Sequence, residues 1–334
     1  MRKKLLFVLL ALALILSSCG NKSKTAAAPT TEAKPAYTLM LSTVLTDKDP
    51  ISIGLNRLAD NVKAATNGEV RIEVYPSSQL GDTGDVLEQA KSGSNVGVVI
   101  DTGMLADYVP DMAIYSGPYI FDSVENARKF IETDIFKGWD EKLTTFGLRD
   151  LGCNWYQGAR SFLSNKKIET PSDLKGVRVR TMGSKVAQES MKAMGATPTS
   201  LAWSEAYSAL QSKVIDAVEA QTTAVYGASL HEVTKFTALT EHFFLYTGLV
   251  ISEKWFQTLP AKYQKILIEK AIEAGDYATK LTLEKEVEFQ KIMAEKGMTF
   301  VKVDKAPFKK ASSSVYETMG WADLKAKIDK ELGQ

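Results

Sequence analysis

The sequence of 334 residues predicts an α/β protein with two lobes. Apolar segments of strand length alternate with helical patterns from residue 37 onward, and a second series of such segments follows residue 158. An uninterrupted helical pattern then runs from Pro260 to about Gly297. A helix of that length can brace two lobes, so we expect two α/β lobes that share one long helix.

The predicted first lobe begins with a β-α-β unit. Residues 37–44 (YTLMLSTV) form an apolar run, Asp49-Pro50 begins an amphipathic helix, and residues 69–75 (EVRIEVY) alternate as a strand. The intervening helix is long enough for the two strands to pair in parallel. A turn at residues 79–82 opens another helix, and residues 96–101 (VGVVID) form a buried strand.

The predicted second lobe includes a short strand that carries two arginines. Residues 170–173 (TPSD) have the form of a capping box with proline at the first helical position, and Gly176 can end this turn in a left-handed conformation. The strand that follows places Arg178 and Arg180 on one side. Residues 214–219 (VIDAVE) return as a strand.

Further segments complete the two lobes. Residues 123–146 are typical of two helices, and residues 148–154 of a strand. Residues 242–252 predict a crossing strand, and residues 298–303 a final strand before two amphipathic helices. The expected lobe boundaries are 37–157 plus about 246–285 for lobe I, and 158–245 plus about 286–334 for lobe II.

Residues 1–18 are typical of an export signal. A basic start precedes an apolar run from Leu5 to Leu16 that is too short to remain as a membrane-spanning helix. Leu-Ser-Ser-Cys, ending at Cys19, resembles a bacterial lipobox, so we expect Cys19 to be lipidated. Residues 19–36 then form a flexible tether to the membrane. The alternative is an ordinary signal peptide in which Cys19 is coincidental.

Composition and motifs argue against several function classes. The formal charge is +1, and loss of the basic signal residues makes the mature chain slightly acidic, so no nucleic-acid patch is indicated. Once Cys19 is lipidated, Cys153 has no disulfide partner, and two histidines are few for a zinc site. The common phosphate-loop, dinucleotide, serine-hydrolase and zinc-protease motifs are absent from the sequence. We therefore predict no cofactor, no metal and no catalysis.

Several motifs resemble one known family. Residues 75–81 (YPSSQLG), 173–180 (DLKGVRVR), 204–210 (SEAYSAL) and 215–219 (IDAVE) resemble, in order and separation, the DctP-like solute-binding proteins of tripartite ATP-independent periplasmic (TRAP) transporters. The resemblance covers about residues 37–320. It implies a two-lobed periplasmic-binding-protein fold that closes on an organic acid, with a long helix spanning both lobes. It also implies small and large membrane subunits as partners.

The resemblance assigns the ligand carboxylate to Arg180, which ends the Lys-Gly-x-x-x-Arg strand. A guanidinium offers two parallel donors that match a carboxylate, and it keeps its charge when water is excluded. Arg178 occupies the variable basic position of the motif, so we expect it on the surface. Arg160 falls where the family often has a second arginine, and it is either a second ligand contact or part of a structural ion pair.

Other residues are weaker candidates for the ligand site. Trp203 could stack on an apolar face of the ligand or belong to the core. Glu219 is expected to hold an arginine in place, and Asp101 to accept hydrogen bonds from hydroxyl or ammonium groups. The remaining candidates are Gln221, His242, Asp82, Tyr156 and Thr43.

One departure from the family pattern concerns the ligand. In the sialic-acid branch an asparagine follows the Asp-Gly-x-Glu motif, whereas Ala220 and Gln221 follow Glu219 here, and Ala217 replaces the usual glycine. This departure argues against sialic acid. Trp155, Tyr156 and Trp203 suggest flat apolar walls, which suit a sugar acid and a branched or aromatic carboxylate equally.

The sequence therefore predicts an extracytoplasmic, monomeric lipoprotein that captures an organic monocarboxylate, such as a sugar acid, for an ion-gradient-driven TRAP transporter. Three alternatives stay open at this point. The chain could serve an ATP-driven importer, act as a surface enzyme on acidic sugars, or present a ligand to a sensor kinase.

Overall fold

Residues 35–334 contain one mixed sheet of ten strands, and they form a single unit. The computed structural model describes residues 34–334, so the predicted signal, Cys19 and most of the tether lie outside the described residues. The strands are β1 (Tyr37–Ser42), β2 (Val70–Tyr75), β3 (Val96–Asp101), β4 (Leu148–Asp150), β5 (Trp155–Ser164), β6 (Arg178–Thr181), β7 (Thr197–Ser200), β8 (Ala217–Gln221), β9 (Phe236–Ser252) and β10 (Thr299–Lys302). Their order is β2-β1-β3-β9-β5-β8-β6-β7, and β4 and β10 also pair with β9.

Helices alternate with these strands along the chain, as expected of an α/β protein. They are α1 (Pro50–Ala65), α2 (Thr83–Lys91), α3 (Val124–Phe130), α4 (Asp134–Thr144), α5 (Lys185–Ala193), α6 (Ala206–Gln211), α7 (Thr222–Gly227), α8 (Glu253–Phe256), α9 (Ala261–Glu295), α10 (Ala306–Ser312), α11 (Ser314–Thr318) and α12 (Ala322–Leu332). Short 3-10 turns lie between several of them, including Pro110–Ser116 and Trp203–Glu205. Within residues 34–334, no helix combines the length and the apolar character that crossing a membrane requires.

The predicted β-α-β unit opens the fold. Strand β1 pairs in parallel with both β2 and β3. Asp49 caps α1, because its Oδ1 accepts a hydrogen bond from the backbone N of Ile51 at 2.9 Å. The buried face of α1 contains Leu55, Leu58 and Val62, which pack in the same hydrophobic cluster as β1.

Two long strands connect the two halves of the sheet. The C-terminal part of β9 pairs with β3 and β4, and its N-terminal part pairs with β10. Strand β5 runs antiparallel to β9 and pairs on its other edge with β8. The predicted crossing segment is therefore confirmed, although the strand begins at Phe236 rather than at residue 242.

The pairing of β5 with β9 is interrupted twice. Between the pairs Tyr156–Tyr246 and Gly158–Leu245, β5 contains one extra residue, Gln157. A second register shift separates the pairs Arg160–Phe243 and Phe162–Ala238, where β9 contains the extra residues. Such bulges change which side chains point to each face of a sheet.

The long helix α9 packs against both halves of the molecule. Ala271, Ala274 and Ala278 belong to the cluster that contains α1 and β1, whereas Phe289 and Met293 belong to a cluster with β8 and α6. The predicted spanning helix is thus present over Ala261–Glu295.

Some predicted boundaries differ from those of the structure. The strand expected over 148–154 ends at Asp150, because a bend with Gly152 at φ +147° separates β4 from β5. Strand β8 begins at Ala217 rather than at 214, since the N–H groups of Val214 and Ile215 donate to the carbonyl of Ala209 at the end of α6. Three helices close the chain rather than two, and Gly320 in a left-handed conformation precedes the last.

Two glycines provide a matched test of the contact between α1 and α9. A Cβ at Gly54 would lie 2.7 Å from Ala278 Cβ and 3.0 Å from the Trp155 ring, whereas a Cβ at Gly138 in α4 would meet nothing within 4 Å. We expect Gly54→Ala to lower the free energy of unfolding by about 1–3 kcal/mol through overpacking. Gly138→Ala should raise it by about 0.5–1 kcal/mol, because alanine favours the helix. Urea denaturation measures both, and equal effects would contradict the close contact.

Candidate ligand-binding site

A cavity of about 200 Å³ lies where the parallel strands of both halves of the sheet end. Its lining comes from the residues that follow β1, β6 and β7, from the last residues of β3 and β8, and from the bulged part of β5. Ligand sites in α/β sheets lie beyond the carboxyl ends of the strands, so this cavity is the candidate site. Six predicted site residues line it, namely Asp82, Asp101, Arg160, Arg180, Trp203 and Gln221.

Arg180 is a buried cation without a counter-ion among the described residues. Its side chain is 5% exposed, and its Nε and Nη2 donate to the carbonyl of Leu201 at 3.0 and 2.8 Å. Among residues 34–334, no carboxylate forms an ion pair with Arg180, and its Nη1 has no hydrogen-bond partner. Burial, and then the charge of Arg160, lower the pKa of Arg180 to about 10. The guanidinium therefore stays charged at neutral pH and can accept an anionic partner in the cavity.

The neighbouring arginine of the same strand has a different environment. Arg178 is exposed and forms a bidentate ion pair with Asp216, with Nε–Oδ2 and Nη2–Oδ1 distances of 2.9 and 2.8 Å. It lies on the surface, as predicted.

Arg160 lines the cavity and also forms a buried ion pair with Glu219. Its Nε donates to Glu219 Oε2, and its Nη2 donates to Glu219 Oε1 at 2.7 Å and to the Glu219 carbonyl at 2.6 Å. Thr181 Oγ1 donates to Glu219 Oε1 at 2.7 Å. Burial opposes ionisation of Glu219, but the charge and hydrogen bonds of Arg160, together with the nearby His242, lower its pKa to about 2. Glu219 therefore neutralises Arg160 and holds it in place.

His242 lies behind this ion pair. Its Nε2 is 3.5 Å from Glu219 Oε2, its Nδ1 is 2.9 Å from Thr240 Oγ1, and its ring stacks on Phe162 at 4.8 Å. Burial lowers the pKa of His242, so the imidazole is neutral at pH 7. His242 and Glu219 are fully buried and do not line the cavity.

A chain of hydrogen bonds continues from Arg160 across the floor of the cavity. Arg160 Nη1 donates to Gln221 Oε1 at 2.8 Å, and Gln221 Nε2 donates to Gln157 Oε1 at 2.9 Å. Gln157 Nε2 then donates to Thr247 Oγ1 at 3.2 Å, and Thr247 Oγ1 donates to the Trp155 carbonyl at 2.9 Å. Because a guanidinium can only donate, it sets the orientation of both amides.

Sequence reasoning did not single out Gln157 and Thr247, which both line the cavity. For Gln157 a signal was present, because it begins the Gln-Gly-Ala-Arg segment and precedes a glycine that can mark a bulge. Thr247 lies inside an apolar strand, and nothing in its surroundings in the sequence marks it.

Asp101 provides an acceptor on the opposite side of the cavity. It ends β3, is 4% exposed, and its Oδ1 accepts a hydrogen bond from Ser116 Oγ. Its Oδ2 is buried and has no hydrogen-bond partner in the part of the chain that the structure describes. Burial raises the pKa of this carboxyl. A buried acceptor without a partner is costly, so a donor group of a ligand would be favoured here.

The remaining candidates have distinct surroundings. The ring of Trp203 lies 5.2 Å from the Arg180 guanidinium and forms part of the cavity wall, and Asp82 lies on the rim at the start of α2. Tyr156 and Thr43 lie outside the lining: the ring of Tyr156 packs 5.0 Å from that of Tyr246, and Thr43 Oγ1 accepts from the backbone N of Leu45 at 3.2 Å.

Residues 41–322 match the family described as bacterial extracellular solute-binding protein, family 7 (DctP). The chain belongs to this family. This match confirms the family assignment made from the motifs. Members of the family are extracytoplasmic and work with the membrane subunits of TRAP transporters.

Known members of the family are similar along most of the chain. The sialic acid-binding periplasmic protein SiaP of Vibrio cholerae serotype O1 is 30% identical over 262 residues, which cover 78% of this chain and 81% of SiaP. A TRAP periplasmic solute-binding protein of Escherichia fergusonii, solved in an apo open state, is 42% identical with a TM-score of 0.78, covering 88% of this chain and 99% of the other. One from Ochrobacterium anthropi with bound L-fuconate is 35% identical with a TM-score of 0.86, covering 89% and 99%. The predicted two-lobed α/β fold is confirmed.

The buried ion pair predicts a defined loss of stability. Glu219→Gln leaves Arg160 charged and buried without a counter-ion, so we expect the free energy of unfolding at pH 7 to fall by about 3–5 kcal/mol. Glu288→Gln, which breaks the exposed pair with Lys285, should cost less than about 1 kcal/mol. Urea denaturation measures both variants.

The same variant tests the pH dependence of this pair. The folded-state pKa of Glu219 is lowered from 4.5 to about 2, so its contribution is complete above pH 4.5 and is lost as the pH falls toward 2. The difference in stability between wild type and Glu219→Gln should therefore shrink over that range. A difference that stays constant down to pH 2 would contradict the assignment.

Proposed function

We propose that this protein captures a hydroxylated monocarboxylate in the cavity and delivers it to a TRAP membrane permease driven by an ion gradient. The observation that carries the proposal is the buried Arg180 guanidinium, which lines the cavity and has no counter-ion within residues 34–334. A carboxylate matches its planar pair of donors, and the buried charge gains a partner when the ligand binds.

The charge balance of the lining favours a ligand with one negative charge. Arg160 and Arg180 are the only cationic side chains in the described lining, and Glu219 already neutralises Arg160. One positive charge is thus available. Asp101 and Asp82 also line the cavity, and either would repel a second carboxylate.

The acceptors of the lining favour hydroxyl groups on the rest of the ligand. Asp101 Oδ2 has no donor among the described residues, and Gln157 and Gln221 are oriented by the series of hydrogen bonds that begins at Arg160. A sugar acid carries one carboxylate and several hydroxyls, which fits this set. The L-fuconate bound by the similar protein from Ochrobacterium anthropi has the same chemistry.

Ligand binding favours closure of the two lobes in this proposal. Arg180 and Trp203 belong to lobe II, residues 158–245 plus about 286–334, whereas Asp101 and Val44 belong to lobe I, residues 37–157 plus about 246–285. A ligand that contacts both sides stabilises the state in which they are close. The protein binds its ligand without turnover and acts as a monomer.

A thermal-shift panel tests the class of ligand. L-fuconate, L-galactonate and D-galacturonate should raise the melting temperature, because binding to the native state alone stabilises it. Succinate, with two carboxylates, and the neutral sugar L-fucose should not. A larger shift with succinate than with any of the sugar acids would contradict the proposed charge balance.

The two arginines of β6 test the carboxylate contact itself. Arg180→Ala should weaken binding of L-fuconate by about 100-fold or more, because it removes a charged, bidentate partner, and Arg180→Lys should recover only part of the loss. Isothermal titration calorimetry measures both. Arg178→Ala is the matched control from the same strand and should bind as the wild type does. Equal binding by Arg180→Ala and Arg178→Ala would overturn the proposal.

Cys19 is proposed to anchor the mature protein to the membrane. Its place after Leu-Ser-Ser supports this, and it lies outside the described residues. We expect the wild type expressed in bacteria to partition with membranes, and Cys19→Ser to be released or to retain its signal. Cys153→Ser, at a buried position, is the control and should stay with the membrane. Mass spectrometry of the N-terminal peptide detects the lipid, and an unmodified Cys19 in the wild type would contradict the anchor.

A further inference from the structure

We propose that Glu286, on the long helix α9, is a positioning residue for the ligand site: it holds the bulge of β5 that carries Gln157 and Arg160. This inference rests on the proposed function, because Glu286 would affect the affinity for the ligand only through Gln157 and Arg160. Glu286 itself does not line the cavity.

The carboxylate of Glu286 lies directly against the backbone of the bulge. Its Oε1 accepts a hydrogen bond from the backbone N of Ala159 at 3.2 Å. A Cβ added at Gly158 would lie 2.5 Å from the same oxygen and 3.0 Å from Gln221 Cβ. Gly158 has a φ of +125°, which favours glycine, and a Cβ at this position would displace the Glu286 carboxylate.

The bulge follows from the way β5 packs on α9. Trp155 packs in one cluster with Ala274 and Ala278 of α9, and Gly158 faces Glu286 of the same helix. In a regular strand, residues three apart point to opposite faces. One extra residue is therefore needed between Trp155 and Gly158, and Gln157 is that residue.

The extra residue contributes to the ligand site. Gln157 is skipped in the backbone pairing with β9, and its side chain forms hydrogen bonds with Thr247 of β9 and Gln221 of β8 on the cavity floor. Arg160 follows on the same strand and bonds to Gln221 and Glu219. An acceptor that stabilises the bulge at Ala159 thus stabilises the placement of both side chains.

The electrostatic surroundings make this contact sensitive to pH. Burial raises the pKa of Glu286 to about 7, the hydrogen bond from Ala159 opposes the rise, and the charge of Glu241 on β9 adds to it. Tyr156 on β5 also interacts electrostatically with Glu286, and the nearby Gln221 of β8 is neutral. On α9, Lys285 is already paired with Glu288.

A change of charge at Glu286 alters the bond that it accepts. A carboxylate accepts a hydrogen bond more strongly than the neutral acid does. The Ala159 amide should therefore be held more tightly as the pH rises through about 7. A glutamine at this position keeps an acceptor oxygen of the same reach but cannot titrate.

A ligand-free measurement tests the contact. In protein labelled with ¹⁵N-alanine, the Ala159 amide shift, assigned from an Ala159→Ser variant, should titrate with a midpoint near 7. The titration should be lost in Glu286→Gln and kept in Glu284→Ala, which removes an exposed carboxylate of the same helix. An Ala159 shift with the same pH dependence in the wild type and in Glu286→Gln between pH 4 and 9 would overturn the proposal.

A binding measurement tests the consequence for the site. By calorimetry with L-fuconate, Glu286→Ala should bind about tenfold more weakly or worse, because a hydrogen bond to a charged group is lost, whereas Glu286→Gln and Glu284→Ala should stay within about threefold of the wild type. Equal binding by Glu286→Ala and Glu284→Ala would contradict the positioning role. If the wild type does not bind L-fuconate, the proposed ligand class fails, and the amide titration decides the role of Glu286 by itself.

Discussion

The arrangement of the site depends on the buried ion pair between Arg160 and Glu219. This pair joins β5 to β8, the hydroxyl of Thr181 on β6 donates a hydrogen bond to Glu219, and His242 of β9 lies behind Glu219. Four strands therefore contribute side chains around one ion pair. Two charges taken out of water are stable only when each has its partner and its hydrogen bonds. Because Arg160 is neutralised in this way, Arg180 is left as the one cation of the described lining that a ligand can neutralise.

The same pair determines the polarity of the cavity floor. Arg160 donates a hydrogen bond to the side chain of Gln221, and each amide along the cavity floor donates to the next group in turn. The series ends where the Thr247 hydroxyl donates to the carbonyl of Trp155. The Arg160 charge, at one end of this series of hydrogen bonds, thus determines which donor and acceptor groups remain for a ligand. Asp101, on the other side, adds an acceptor that has no donor among residues 34–334. In the proposed function, affinity for a carboxylate and selection for hydroxyls therefore arise from different sides of the cavity.

Sequence reasoning predicted the fold well where periodicity is strong, as in α1, α9 and the strands of the β-α-β unit. It placed the start of β8 three residues early, because Val214 and Ile215 are β-branched and favour a strand. In the structure their N–H groups instead donate to the carbonyl of Ala209 at the end of α6. Six of the ten candidate residues line the cavity, and four are buried outside the lining. Tyr156 precedes the bulge of β5 and packs on Tyr246, outside the lining, whereas Gln157, the extra residue of the bulge, lines the cavity. Simple alternation along the strand therefore selected the wrong one of these two neighbours.

By itself, the sequence determined the α/β alternation, the long helix, the capping turn before β6 and the motif that contains Arg180, because these depend on residues close together in the chain. Only the tertiary structure decided which arginine has a counter-ion. Arg160 lies 59 residues before Glu219 and 61 residues before Gln221 in the sequence. The pairing of β5 with β8 brings these residues together. The motif first marked Arg178 and Arg180 as neighbours on one strand. Their different environments follow from what the fold packs against each: Asp216 at the surface for Arg178, and the candidate cavity for Arg180.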